Sequence, residues 1–179
     1  TMVGCCNGVL PTTENLGILV DLSKEIEKKL GYALEIVSGG SSSSVVLLQK
    51  WLLPSGVNQL RVGEAILLGL DGILDKPISG LNQHNFILVT EIIELKEKIV
   101  DGEKQERAIV SIGKQDVYPS QLYPVDGNMQ IITSSSDHMI LNLTQAKRKF
   151  MVGDEIRFGI RYSGLVSMMT SRYVGKKFM

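Results

Sequence analysis

Within residues 1–70, apolar positions alternate between continuous runs and helically spaced stripes. Residues 2–6 read as a strand. After Pro11, the positions Leu16, Leu19, Val20, Leu22, Ile26 and Leu30 recur mostly at three- and four-residue steps. Lys24, Glu25, Glu27 and Lys28 mostly take the other face, which predicts an amphipathic helix. Thr12 or Thr13 is its cap, Glu14 lies near its positive end, and Gly31 stops it. Residues 33–37 form a second expected strand, 43–52 a second helix, and 59–62 a third strand. A short helical stretch then follows Gly63 and Glu64 and ends near Gly69. Strand and helix alternating through short connections predict a parallel sheet, either doubly wound or barrel.

From Asn85 the pattern changes. Strands are expected at 86–96, 107–112, 129–132, 139–142 and 155–161, with Asp126-Gly127 and Gly153-Asp154 as turns between them. The second half therefore reads as a mostly antiparallel β domain. The segment 71–83, with Gly72, Pro77 and Gly80, carries the boundary, giving domains 1–75 and 76–179. Three parallel strands are too few to stand alone, because a barrel of this kind closes with about eight and an open edge needs cover. Either something else pairs with the first strand, or an earlier part of the barrel is missing from this chain.

Composition narrows the partners. The 179 residues carry 19 Lys and Arg against 19 Asp and Glu, which removes the long-range attraction to phosphate backbones, and 44% are hydrophobic, too many for a disordered chain. No nucleic acid and no membrane are expected as partners, since apolar residues nowhere run for about 18 positions. Without a leader pattern, a cytoplasmic location is the default. Cys5 and Cys6 are adjacent, so neither a disulfide framework nor a metal pair is expected, and they read as buried thiols.

Two segments carry candidate chemistry. Ser38-Gly39-Gly40-Ser41-Ser42-Ser43-Ser44 follows an expected strand and opens a helix, where glycines let backbone approach an anion and hydroxyls can donate to it. A flexible linker has the same composition, but the close spacing of strand and helix argues against one. It is not a Walker motif, since no Gly-Lys-Ser/Thr follows. Arg61 ends the third strand, before the amides of Gly63 and Glu64. It either faces the same mouth or pairs with a surface carboxylate.

The segments 34–44, 58–69, 107–116, 134–141 and 152–160 resemble, in order, the C-terminal half of the alanine/ornithine racemase family of pyridoxal-phosphate (PLP) enzymes, fold-type III. Glu35-Ile36-Val37-Ser38-Gly39-Gly40, with Asn58 through Gly69, is similar to the ornithine racemase branch. The resemblance implies the last strands of a (β/α)8 TIM-like barrel followed by a C-terminal, mostly antiparallel β domain. It implies an amino-acid racemase working by two-base α-proton transfer through an external aldimine, with a small amino-acid substrate and a homodimer whose active sites are completed across the interface. The alternative is a non-catalytic PLP carrier that kept the phosphate cup.

Carried residue by residue, the resemblance gives Ser42 to the cofactor phosphate, although the preceding family Asn is Ser41 here. Arg61 faces the pyridine nitrogen, and the amides of Gly63 and Glu64 cap the phosphate. Tyr173 lies roughly where a family tyrosine reaches that phosphate. Ser111-Ile112-Gly113-Lys114-Gln115-Asp116 is similar to the Gly-Tyr-Ala-Asp segment, with Lys114 at the tyrosine position, and Asp116 is a candidate for the distal ammonium of ornithine or lysine. Ser135-Ser136-Asp137-His138 resembles the substrate-carboxylate segment, with Ser136 as the contact and His138 as either a proton carrier or a structural hydrogen-bonder; His84 reads as structural. The family's Schiff-base lysine has no counterpart here, so this chain alone would be inactive. Its catalytic tyrosine also has none, because the interval 98–106 contains no tyrosine. No metal is implied.

Overall fold

Helix α1 (Thr13–Leu30) starts and stops where its sequence allows. Thr12 is the cap: its hydroxyl accepts from the Asn15 N–H while Asn15 reaches back to the Thr12 N–H, a reciprocal capping box. Gly31, at φ 80°, ends the helix by donating its N–H to the Glu27 carbonyl. Glu14 lies in the first turn, and its carboxyl is held below the usual range by a backbone hydrogen bond and the Thr12 hydroxyl. Leu16 and Val20 are buried, but Leu22, Ile26 and Leu30 of the same apolar stripe are exposed.

These are features of a computed structural model that describes residues 8–178; the strand expected at 2–6, with Cys5 and Cys6, lies outside the described residues. The chain divides into two compact units between Asn85 and Phe86.

The first unit is less regular than its sequence suggests. The segments 33–37 and 59–62 are extended, and only one isolated parallel bridge, Ser38 to Gln59, is formed between this pair of segments. Three backbone hydrogen bonds surround it: Asn58 N–H to Val37 O, Gly39 N–H to Gln59 O and Arg61 N–H to Gly40 O. The second helix is a 3-10 turn (Ser42–Ser44) running into α2 (Val45–Gln49), shorter than expected because Trp51 takes a left-handed φ of 59°. Helix α3 (Glu64–Leu68) ends on Gly69 in the left-handed region, as expected. Residues 76–85 stay with this unit, so the boundary falls later than residue 75. Ile78 N–H donates to Gly69 O, Leu70 pairs with Pro77, and the Asn85 amide donates to the Ile66 and Leu67 carbonyls.

The second unit is a six-stranded antiparallel sheet in the order β3-β6-β1-β2-β5-β4. Its strands are β1 (Leu88–Val100), β2 (Glu103–Val110), β3 (Leu122–Pro124), β4 (Gln130–Ser134), β5 (Met139–Asn142) and β6 (Glu155–Ile160). Leu88, Thr90 and Ile92 point inward between exposed Val89 and Glu91, the alternation that a one-sided core demands. Phe158, Ile156, Met139, Leu141, Val110 and Ile92 form the buried centre.

The interval 98–106 is not an open loop. The ladder runs unbroken from Lys96↔Arg107 to Val100↔Glu103 and closes over Asp101 and Gly102. Both turn residues have positive φ, 53° and 83°, the two-residue turn whose twist matches a hairpin. Helix α4 (Tyr162–Thr170) had no periodic signal in the sequence. It follows β6 directly and packs so tightly that a Cβ on Gly164 would lie 2.8 Å from Gln121.

Because Phe158 is wholly buried, Phe158→Ala should cost about 3–5 kcal/mol. Exposed Ile99 on the hairpin arm should cost within about 0.5 kcal/mol when changed to Ala. Urea unfolding of the two variants checks the contrast.

Candidate cofactor and substrate site

In the first unit the parallel rungs set two loops side by side. Gly40 adopts φ 117°, and a Cβ there would lie 2.1 Å from the Ser44 hydroxyl, so the serine loop turns where only glycine fits. Ser42, Ser43 and Ser44 are buried, and the Ser44 hydroxyl donates to the Gly39 carbonyl at 3.2 Å. The Ser42 oxygen accepts from the backbone N–H of Ala65 at 3.0 Å and of Gly63 at 3.3 Å. A hydroxyl and converging amides thus meet at the start of α3, a donor set suited to an anion. The guanidinium of Arg61 donates to the Ser38 hydroxyl. Ser42 therefore meets the Gly63 amide, with Arg61 and Glu64 on either side of that contact in the chain. The Ala65 amide was missed, and Ser38, named within the serine loop, was not expected to meet Arg61; the register Ser38↔Gln59 makes the two diagonal neighbours.

The Glu64 side chain turns toward the Asp71-Gly72 turn, where its carboxylate oxygen lies 2.7 Å from the position a Gly72 Cβ would take. Asp71 is buried, and its carboxylate accepts from the N–H groups of Ile73 and Leu74. Burial pushes the Glu64 carboxyl above its ordinary 4.5, and the Asp71 charge adds to it.

Apart from His84, the remaining candidates belong to the second unit and gather at one end of its sheet. Gly113 allows close approach, since a Cβ there would fall 2.4 Å from Ser136 O and Asp137 N. Across it, Lys114 N–H donates to Ser135 O and Gln115 N–H to Ser136 O. Lys114, Ser136 and His138 are exposed on these paired turns. The Asp137 carboxyl accepts from the Ser136 hydroxyl at 2.8 Å, which holds it below the usual carboxylate range, and His138 Nδ1 lies 3.5 Å away. Asp116 is different: it is buried, and its Oδ1 accepts from the Ser171 hydroxyl. Ser171 Oγ in turn accepts from the Tyr173 N–H at 3.1 Å. Nothing in the sequence pointed to Ser171. His84, in the first unit, is exposed and donates its N–H to Asn82. Among the described residues no cluster of metal-binding side chains occurs, and no helix is long and apolar enough to cross a membrane.

No protein-family model matches the chain. Among solved structures it resembles D-threonine aldolase from Filomicrobium marinum, with a TM-score of 0.61 at 14% identity, over 87% of this chain and 42% of that one. It also resembles alanine racemase from Bartonella henselae with covalently bound pyridoxal phosphate, with a TM-score of 0.59 at 16% identity, over 84% of this chain and 44% of that one. The fold is thus that of the C-terminal part of alanine-racemase-like PLP proteins. Two sequences are closer. Lysine racemase from Thermotoga maritima is 38% identical over 196 positions, which cover 99% of this chain and 55% of that protein. Ornithine racemase from Acetoanaerobium sticklandii is 38% identical over 193 positions, covering 98% and 55%. Along almost its whole length the chain is thus similar to part of these two racemases, and its fold is that of the C-terminal part of alanine racemase. It spans about half the length of these relatives, and the matched stretch exceeds its own 179 residues, so both relatives carry residues with no counterpart here.

A raised carboxyl pKa means that the folded state holds the Glu64 proton more tightly than the unfolded chain. The stability linked to it is full below pH 4.5 and is lost as pH rises through the folded value. Glu64→Gln should therefore melt higher than the parent at pH 7, with the gap closing below pH 4.5; melting curves across that range check it.

Proposed function

We propose that the protein to which this chain belongs is an amino-acid racemase that uses PLP to interconvert L- and D-enantiomers, with a basic amino acid as substrate. The observation that carries this reading is the cup in which Ser42 Oγ meets the amides of Gly63 and Ala65 beside Arg61. It occurs in a chain 38% identical to proteins named lysine and ornithine racemase.

The residues present fit the cofactor. Ser42 and the amides of Gly63 and Glu64 would hold its phosphate and Arg61 would face its ring nitrogen; Tyr173, of this chain or of a second copy, would be a further phosphate contact. When bound, PLP supplies the electron sink that makes an α-proton removable. Arginine effectively never releases its proton, so Arg61 can only donate, which leaves the ring nitrogen unprotonated and favours simple proton return over transamination. Lys114 and Ser136 would receive a substrate carboxylate, and His138 would carry a proton, a reading supported by the exposure of all three side chains. The lysine that anchors the cofactor and the second base come from the rest of the protein or from a second copy, in a homodimer whose sites are completed across the interface.

One observation favours a non-catalytic PLP carrier instead. The tight hairpin at Asp101-Gly102 contains no tyrosine where the family resemblance implies a proton carrier.

The full-length protein should show the absorbance of lysine-bound PLP and, after borohydride reduction, a covalent cofactor adduct by mass. Ser42→Ala should weaken PLP binding about tenfold, the loss of one hydrogen bond to a charged group. Absence of the adduct would sink the racemase reading, whereas an adduct without turnover of lysine, ornithine or alanine would establish the carrier.

A further inference from the structure

Asp116 is a buried carboxylate in a unit where nearly all other charged side chains face solvent. Burying a charge costs several kcal/mol unless hydrogen bonds replace its water. Its carboxylate accepts from the hydroxyl of Ser171, at 2.5 Å, from a residue 55 positions later in the chain. Ser171 is the first residue after α4, and its N–H still donates to Ser167 O. The Ser171 hydroxyl oxygen also accepts from the Tyr173 N–H, so Asp116, Ser171 and Tyr173 form one continuous hydrogen-bonded chain. At its near end the Asp116 N–H donates to Gly113 O, within the turn that pairs with Ser135 and Ser136. At its far end Tyr173 is exposed. The Ser171 carbonyl is taken as well, by the ammonium of Lys176.

We infer that Asp116 is a positioning residue and not a substrate ligand: its carboxylate fixes Ser171 and thereby tethers the segment that carries the exposed Tyr173 to the turn that carries Lys114. A carboxylate meant for a substrate ammonium has to be reachable, and this one is shut in with a hydroxyl already bound. An unanchored segment beyond α4 would fray, since exposed chain ends are held only by such contacts. The consequence for cofactor binding rests on the proposed function; the anchoring itself does not.

The test compares Asp116→Ala, Asp116→Asn and Ser171→Ala in the full-length protein. Hydrogen–deuterium exchange without PLP should be faster across residues 172–176 by about tenfold in Asp116→Ala and in Ser171→Ala, the loss expected for a hydrogen bond to a charged group. The double variant should exchange no faster than Ser171→Ala, because Asp116 acts on the segment through Ser171. Asp116→Asn, whose amide oxygen still accepts, should keep most of the protection. In the PLP-binding protein, Asp116→Ala and Ser171→Ala should raise the PLP dissociation constant by equal factors and leave the lysine-to-alanine rate ratio unchanged. Unchanged exchange at 172–176 in Ser171→Ala would overturn the anchoring, and a shifted rate ratio in Asp116→Asn would return Asp116 to the substrate. Because the exchange arm needs no cofactor, a protein that bound no PLP would defeat the racemase reading without touching this one.

Discussion

Three backbone hydrogen bonds between the segments 37–40 and 58–61 hold the rest of the first unit in place. They run in parallel register around the Ser38–Gln59 bridge. Once that register is set, the serine loop and the start of α3 lie side by side, because each follows its segment within a few residues. Ser42 then reaches the Gly63 and Ala65 amides, and Ser38 reaches Arg61. A shift of one residue would turn every side chain to the opposite face and separate these partners. The glycines follow from the same constraint. Gly39 packs where a Cβ would meet Val57 at 2.4 Å, and Gly40 where it would meet Ser44.

The second unit solves a different problem. Its sheet has one buried face, so alternation along β1, β5 and β6 settles which residues form the core. Burial of Phe158, Ile156, Met139 and Leu141 supplies most of the stabilisation, and the register of β1 with β2 carries the ladder past the core into the exposed hairpin. The turns at the other end are held by backbone hydrogen bonds across Gly113 and by the Asp116–Ser171 contact. Core packing and site geometry are thus separable here: the first depends on apolar area, the second on a handful of polar contacts.

That separation explains what the sequence disclosed. Helix α1 was legible from Thr12 to Gly31 because cap, stripe and stop agree locally. Five of the six strands of the sheet were legible because β-branched and aromatic residues alternate, whereas the short β3 was not expected; α3 was legible because Gly63 and Gly69 bracket it. The cup residues Ser42, Gly63 and Arg61 were legible from glycine and hydroxyl placement together with the family resemblance. Two kinds of feature were not. The segments 33–37 and 59–62 look like strands by composition, yet a strand is defined by its neighbours, and a single parallel bridge forms between them. Asp116 looked like a free carboxylate because its partner lies 55 residues away on the far side of α4, which had no periodic signal of its own.

The side chains proposed to act share one arrangement. Arg61, Lys114, His138 and Tyr173 are exposed, and each lies close to a buried polar residue whose hydrogen bonds are internal. Arg61 is joined through Gly40 and Ser38 to the buried serines, Lys114 lies two residues from Asp116, and Tyr173 hangs from Ser171. The carbonyl of His138 accepts from the buried Ser134 hydroxyl at 3.1 Å. A group that meets a substrate must be reachable, yet a reachable side chain on a loop has rotamer freedom that weakens every contact it makes. Placing the fixed polar group one or two residues away reconciles the two needs, because it restrains the backbone while leaving the working atoms in solvent. On this logic the buried Ser42 and Ser44 in the first unit, and Ser134 and Asp116 in the second, matter as much as the exposed residues of their own unit, and a substitution among them would change geometry before it changed chemistry.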